Sequence, residues 1–154
     1  MDDDKDELYF NFRYSQRLCQ RTARFYRRIQ TSLTFMSLLA GSSAVATLAA
    51  QMPMQSAWLL AMFAILGCVN LAVRPADRIA ANEADVRKYG ALLAKLNQLD
   101  PPALQQLLDE ARQSDTAEVE HLRPVAYNDV ALEIDAPDAV IPLTPVQKLM
   151  AVLA

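Results

Sequence analysis

Charge is missing from the longest stretch of this chain: between Ile29 and Val73 there is no Asp, Glu, Lys or Arg. An uncharged run of that length goes far beyond a core helix; the alternative, a buried helical hairpin in a soluble protein, is disfavoured because the remaining chain is too polar to wrap two fully apolar helices. Glycine is scarce too. With only Gly41, Gly67 and Gly90, no glycine-rich loop is available to cradle a phosphate. The sole histidine, His121, has no H-x-E or CxxC near it, which argues against zinc and for a loop or surface residue. Two cysteines, Cys19 and Cys68, build no disulfide framework and are expected as free thiols. There is no G-x-S-x-G, and neither cysteine has a base beside it in sequence. Tyr127-Asn128-Asp129 could look like a site but reads better as a loop entering a short helix, capped by Asn128 or Asp129. Asp77, Glu83 and Asp85 read as a solvated or arginine-facing surface. No enzymatic chemistry, cofactor or metal is expected.

What is present is apolar length with basic ends. The chain of 154 residues is one domain's worth of material. Its uncharged run is expected to form a two-helix transmembrane hairpin spanning 32–73. The first span, Ser32 to Gln51, covers about 30 Å at about 1.5 Å per residue, the thickness of a bilayer's hydrocarbon core. The second, Ser56 to Val73, covers about 27 Å. Met52 to Gln55, "MPMQ", forms the turn, in which Pro53 ends the first helix. Trp58 stands where an interfacial aromatic anchor belongs. Ala44-Val45-Ala46 has the pattern of a leader-cleavage site, but the charged region before it is too long and a second span follows. The hairpin carries no acid or base, which argues against a proton-coupled transporter or a charged selectivity ring.

The flanks orient the hairpin. Arg13, Arg17, Arg21, Arg24, Arg27 and Arg28 precede it, Arg74 and Arg78 follow it, and the turn is uncharged. Short basic flanks stay in the cytoplasm, so both termini are expected there, with the turn outside. The six leading arginines fall within an arc of about 120° at 100° per residue, opposite Leu8, Phe12, Cys19, Ala23 and Tyr26. Residues 8–31 are therefore expected as a basic amphipathic helix running into the first span, after an acidic disordered segment, 1–7. Two uses of the basic face compete. Lying on the membrane, each arginine meets anionic headgroups; standing upright, only Arg24, Arg27 and Arg28 lie within a Debye length of about 8 Å of the surface. The upright helix is favoured because its apolar stripe is narrow, as in a helix seam. Arg13, Arg17 and Arg21 would then face carboxylates of the tail or of a neighbouring subunit: residues 75–154 hold thirteen acids against seven bases. Nucleic acid is not expected, for lack of any recognition motif.

The tail reads as short helices. Ile79, Val86, Tyr89, Leu93 and Leu96 recur at helical spacing in 74–99, a helix that extends the second span after a kink at Pro75. In 100–154, Asp100 caps and Pro101 opens a helix with Leu104, Leu107, Leu108 and Ala111 on one face. Pro124, Pro137 and Pro142 confine the next helix to about Ala126–Ile134. Thr144-Pro145 opens a last one, whose Val146, Leu149, Met150 and Leu153 want a partner surface. These pieces are too small for a core of their own and should pack on the helices leaving the membrane, or on copies from adjacent subunits. Within the first span Thr34, Ser37, Gly41 and Ala44 fall on one side, a stripe suited to close helix packing or to lining a pore.

The order of parts resembles that of the SLATT proteins, two-transmembrane effectors of bacterial conflict systems. The likeness is carried by "FRYSQRLCQRTARFYRRIQ" (12–30), the hairpin from Ser32 to Val73 and the helix from Asp77 to Leu99. It covers about the first two thirds of the chain, is one of architecture without a motif, and transfers no functional residue. "LDPPALQQLLDE" and "RPVAYNDVALE" also look like segments of small membrane proteins of prophages and mobile elements. The SLATT resemblance implies an oligomeric pore in the bacterial inner membrane, triggered through a cytosolic sensor or a nucleotide signal. The expected partners are accordingly the lipid bilayer, further copies of the chain and a cytosolic regulator. A membrane-anchored scaffold and a holin-like lysis protein are the competing expectations.

Overall fold

The computed structural model describes residues 2–42, 50, 53–116 and 118–154. It is all-helical, and among the described residues no strand occurs. In chain order the helices are α1 (Asp2–Ala40), α2 (Pro53–Val73), α3 (Pro75–Leu93), α4 (Pro101–Gln113), α5 (Arg123–Glu133) and α6 (Pro145–Leu153). Single 3₁₀ turns, Glu120–Leu122 and Pro137–Ala139, precede and follow α5.

The acidic start is not a disordered segment: α1 begins at Asp2, six residues before Leu8. Carboxylates in the first turns of a helix meet the positive end of its dipole, which favours extension of the helix toward its acidic start. Pro53 opens α2 rather than closing a turn, since its fixed φ and missing N–H suit the first helical position. The end of the expected first span (43–49 and 51), with Ala44, and Met52 of the expected turn lie outside the described residues. Between α2 and α3, Arg74 adopts φ 48°. A residue before proline is pushed out of the right-handed helical region, so Pro75 sets the break at Arg74. The helix expected to run to Leu99 ends at Leu93 and continues as turns. α5 starts at Arg123 and takes Pro124 into its first turn, where no backbone donor is lost, and so begins earlier than Ala126.

The described residues divide into two compact units, Met1–Phe25 with Arg78–Ala154, and Tyr26–Asp77. In the first, one core holds Leu8, Phe12 and Cys19 of α1 with Tyr89 and Leu92 of α3 and Leu104, Leu108 and Ala111 of α4. A second joins Leu18 to Leu122, Ala126 and Ala154. The first half of α1 is thus the shared wall of both cores. Gly90 lets α3 approach it closely: a Cβ there would lie 3.2 Å from Gln16 Nε2. α6 is closed at its start by a capping box, Thr144 Oγ1 accepting from Gln147 N–H and Gln147 Oε1 from Thr144 N–H.

The second unit holds the apolar helix. Among the described residues one helical stretch, Ala57–Leu93, which the break at Arg74 divides, is long and apolar enough by length and composition to cross a membrane, and no residue of its apolar window is buried. Leu60, Ile65 and Leu71 of α2 all stand open, Leu71 at 80%. Such a surface on a helix is compatible with membrane association.

Candidate functional site

The leading arginines separate into two groups. Arg13, Arg17 and Arg21 lie in the first unit at i, i+4, i+8, so they share one face of α1. Opposite them α5 offers Asp129 and Glu133, again four apart. Arg13 and Arg17 both reach Glu133, Arg17 Nη2 donating to Oε2 at 2.6 Å. Arg21 grips Asp129 with two prongs, Nε to Oδ2 at 2.7 Å and Nη2 to Oδ1 at 2.8 Å. Its Nη1 also donates to the Ala151 carbonyl at 3.2 Å, so one guanidinium ties α1 to both α5 and α6. These side chains keep only a fifth to a third of their surface, and bidentate charge-assisted pairs of this kind hold geometry far better than exposed ones. Arg24 is exposed, as are Arg27, Arg28 and Arg74 of the second unit and Arg78 at the start of the tail. Arg74 pairs with Asp77 through Nε at 2.9 Å.

Asn128 is not a cap. It lies inside α5, buried, where its amide donates to the Ile141 carbonyl at 2.7 Å and accepts from the Ile141 N–H at 2.8 Å. One side chain therefore satisfies the backbone of the segment leading to α6. Tyr127 meets Phe10 edge-on, ring centroids 5.3 Å apart.

A second polar cluster joins α3 to the end of α4. Lys88 Nζ donates to the Ala111 carbonyl at 2.9 Å and to Asp115 Oδ1 at 2.7 Å, and pairs with Asp85 at 3.0 Å. Tyr89, fully buried, donates its hydroxyl to Asp115 Oδ2 at 2.5 Å. Thr116 N–H donates to Asp85 Oδ2 at 3.0 Å. Lysine on the last carbonyls of α4 closes a helix C-terminus by charge and hydrogen bond together. Asp85, expected on a surface, is buried in this cluster; its neighbour Lys88 and the backbone of the following segment supply the donors.

Burial and the charges within and beside this cluster together set its titration. Loss of water, helped by Asp115, Asp85 and Glu118, pushes the Cys19 thiol up to about 12 from 9.0. Burial, then the hydrogen bond to Asp115, raises Tyr89 well above 10.0. Burial alone would lower Lys88, but Asp115 and Asp85 outweigh it and hold the ammonium above 10.5. Burial alone would raise Asp85, but the bonds from Thr116 and Lys88 outweigh it and hold the carboxyl below 3.8. Above pH 9 the folded chain therefore keeps protons that the unfolded chain releases, and stability falls as pH climbs toward 12. The Asp85 contribution has the opposite sense: it is present above 3.8 and lost as acid titrates the folded carboxylate. The urea midpoint followed from pH 7 upward should begin to drop near pH 9, and Cys19→Ala should move that onset to about pH 10, where tyrosine ordinarily titrates. A midpoint level to pH 11 would contradict the buried cluster.

In the second unit the expected stripe is open. Thr34, Ser37 and Gly41 are exposed, and Ser37 Oγ returns its hydrogen bond to the Leu33 carbonyl at 2.8 Å. Among the described residues a Cβ at Gly41 would meet Ser37 O and Leu38 O. The fourth member, Ala44, lies outside the described residues. Trp58 is 76% exposed on α2.

No family model, curated protein or solved structure matches this chain.

What the pattern of α1 conceals is its second buried flank. Ser15, Leu18 and Thr22 are buried beside the expected stripe, widening the buried arc to about 140°. Leu18 was legible as a large apolar residue, but Ser15 and Thr22 carry no apolar signal. Lys88, Tyr89 and Asp115 escape sequence reasoning for a related reason: they meet only when α3 and α4 are folded against each other.

Proposed function

We propose that this chain is an oligomeric effector of a bacterial inner membrane, crossing the bilayer twice with both termini in the cytoplasm, and that it opens a path or perturbs the membrane when its cytosolic unit is triggered. The observation that carries the membrane part is the apolar window of α2, of which no residue is buried among the described residues. The basic flanks supply the orientation, with Arg24, Arg27, Arg28, Arg74 and Arg78 toward cytosolic headgroups and Trp58 toward the opposite interface. The effector part is supported by α1 itself. One helix carries the ladder that Glu133 and Asp129 hold and, further on, the small-residue stripe of Thr34, Ser37 and Gly41. In oligomers that stripe packs helices closely or lines the path. A trigger that competes for Glu133 and Asp129 would act on the same helix that carries the stripe.

Expression in bacteria with a potential-sensitive dye tests the proposal. Asp129→Asn with Glu133→Gln, which releases the ladder, should depolarise cells or slow growth more than the parent chain does. If the parent, this variant and truncations of the tail all leave membrane potential unchanged, the effector reading is wrong.

A scaffold reading is favoured by one observation. α6 docks by its small face, Met150, Ala151 and Ala154, and leaves Val146, Leu149 and Val152 exposed as a surface another protein could cover. Replacing the hairpin by an unrelated two-span anchor preserves function in a scaffold and abolishes it in a pore.

A further inference from the structure

The second unit contains a cleft of about 420 Å³ where α2 gives way to α3. Gln30 and Thr34 of α1 line it, with Asn70, Leu71, Arg74 and Asp77. The spacing of its polar groups is regular. Gln30 and Thr34 are one turn apart, as are Asn70 and Arg74, about 6 Å along each helix. Asn70 is the only amide between Ala57 and Val73, an otherwise apolar run. The side chains of Gln30, Thr34 and Asn70 form no hydrogen bond with another described residue.

Such groups are costly in hydrocarbon. An unpaired amide taken from water loses on the order of 1–3 kcal/mol, and below the headgroup layer no water replaces the partner. Every polar group in the cleft except Asp77 is a donor or can act as one: the guanidinium of Arg74, two carboxamides and a hydroxyl. Asp77 occupies Arg74 Nε at 2.9 Å in a pair that is mostly exposed and therefore weak. The planar guanidinium fork matches phosphate oxygens, and amides a turn deeper match the ester carbonyls beneath a phosphate. The volume suits a small polar ligand rather than a single ion.

We infer that this cleft binds the phosphodiester headgroup of a membrane phospholipid, Arg74 holding the phosphate while Asn70, Gln30 and Thr34 hold phosphate and ester oxygens. The inference rests on the reading that α2 lies in a bilayer. It adds to that reading a defined lipid seat at the cytosolic edge of the hairpin. The lipid completes the hydrogen bonding of groups that would otherwise be stranded. It also distinguishes Arg74 from Arg78, which does not line the cleft and makes only generic surface contact.

Native mass spectrometry of the full chain in detergent tests it, with added phosphatidylethanolamine or phosphatidylglycerol against diacylglycerol of the same acyl chains. Phospholipid adducts should persist and diacylglycerol adducts should not. Arg74→Gln combined with Asn70→Leu should weaken phospholipid retention about ten- to hundredfold, the loss expected for charge-assisted bonds. Arg78→Gln should leave it unchanged. Cys19 protection from thiol reagent reports that the variants are folded, and Thr34→Val, which removes one hydroxyl, serves as a milder variant with a smaller loss. Equal retention by parent and double variant, equal retention of diacylglycerol, or competition by inorganic phosphate at the same concentration as lipid each overturns the lipid seat. Carbonate extraction of bacterial membranes keeps the two readings apart. A chain released by carbonate refutes membrane insertion, whereas a chain that stays but shows no phosphate dependence refutes this site alone.

Discussion

Phe12→Ala should raise the rate at which a thiol reagent modifies Cys19 by about 10²–10³-fold. Phe12 is fully buried in the same core as Cys19, with Leu8, Tyr89, Leu104 and Leu108 around it. Removing a buried phenylalanine side chain costs about 3–5 kcal/mol, from lost transfer energy and the cavity left behind. A domain's whole stability is about 5–15 kcal/mol, so the population of open molecules rises steeply. Because Cys19 is buried and its thiol is pushed up to about 12, it reacts at neutral pH only when the core opens. Cys68 is exposed and must first be replaced by alanine, leaving one thiol to follow. An unchanged rate would mean that α1 does not form the wall of this core.

Ile65→Arg should remove most of the chain from bacterial membranes. Ile65 lies mid-way along α2 and is 63% exposed. At the centre of a bilayer an arginine is less favourable than isoleucine by about 3 kcal/mol on insertion scales, which is about a hundredfold in partition. On the surface of a helix in water the same change stays within about 0.5 kcal/mol. The measurement is the fraction retained after carbonate extraction, with Glu110→Arg on the exposed face of α4 as the control. Equal retention of Ile65→Arg and the parent would place α2 outside hydrocarbon, and the lipid seat would fall with it.

The features legible beforehand are those that depend on near neighbours in sequence. α1 shows its basic face because arginines four apart must share a side, whatever surrounds them. The starts at Pro101 and Pro145 follow from a ring that fixes φ and lacks a donor. Thr144 caps the helix that Pro145 opens, as expected, and the structure adds Gln147, which closes the capping box three residues on. The uncharged run to Val73 needs no tertiary partner to be recognised as apolar.

The features that escaped are those in which the deciding partner is remote. The acidic start, 1–7, is expected to be disordered, but α1 continues through it from a helix that the cores already hold in place. Asn128 looked like a cap, a common use of asparagine where a loop enters a helix. Its actual use depends on Ile141, whose backbone groups come within its reach only after the chain turns through Pro137–Ala139.

Taken alone, the order of residues determined where α4 and α6 start, which helix faces are basic or apolar, and which stretch is apolar enough for a bilayer, because these follow from a period of 3.6 and from the chemistry of adjacent groups. Only the folded chain decided that Asp129 receives Arg21 across 108 residues, that Asp115 joins Lys88 to Tyr89, and that Ser15 and Thr22 lie inside. Those pairings depend on how far apart packed helices bring particular atoms, a distance that no local period contains.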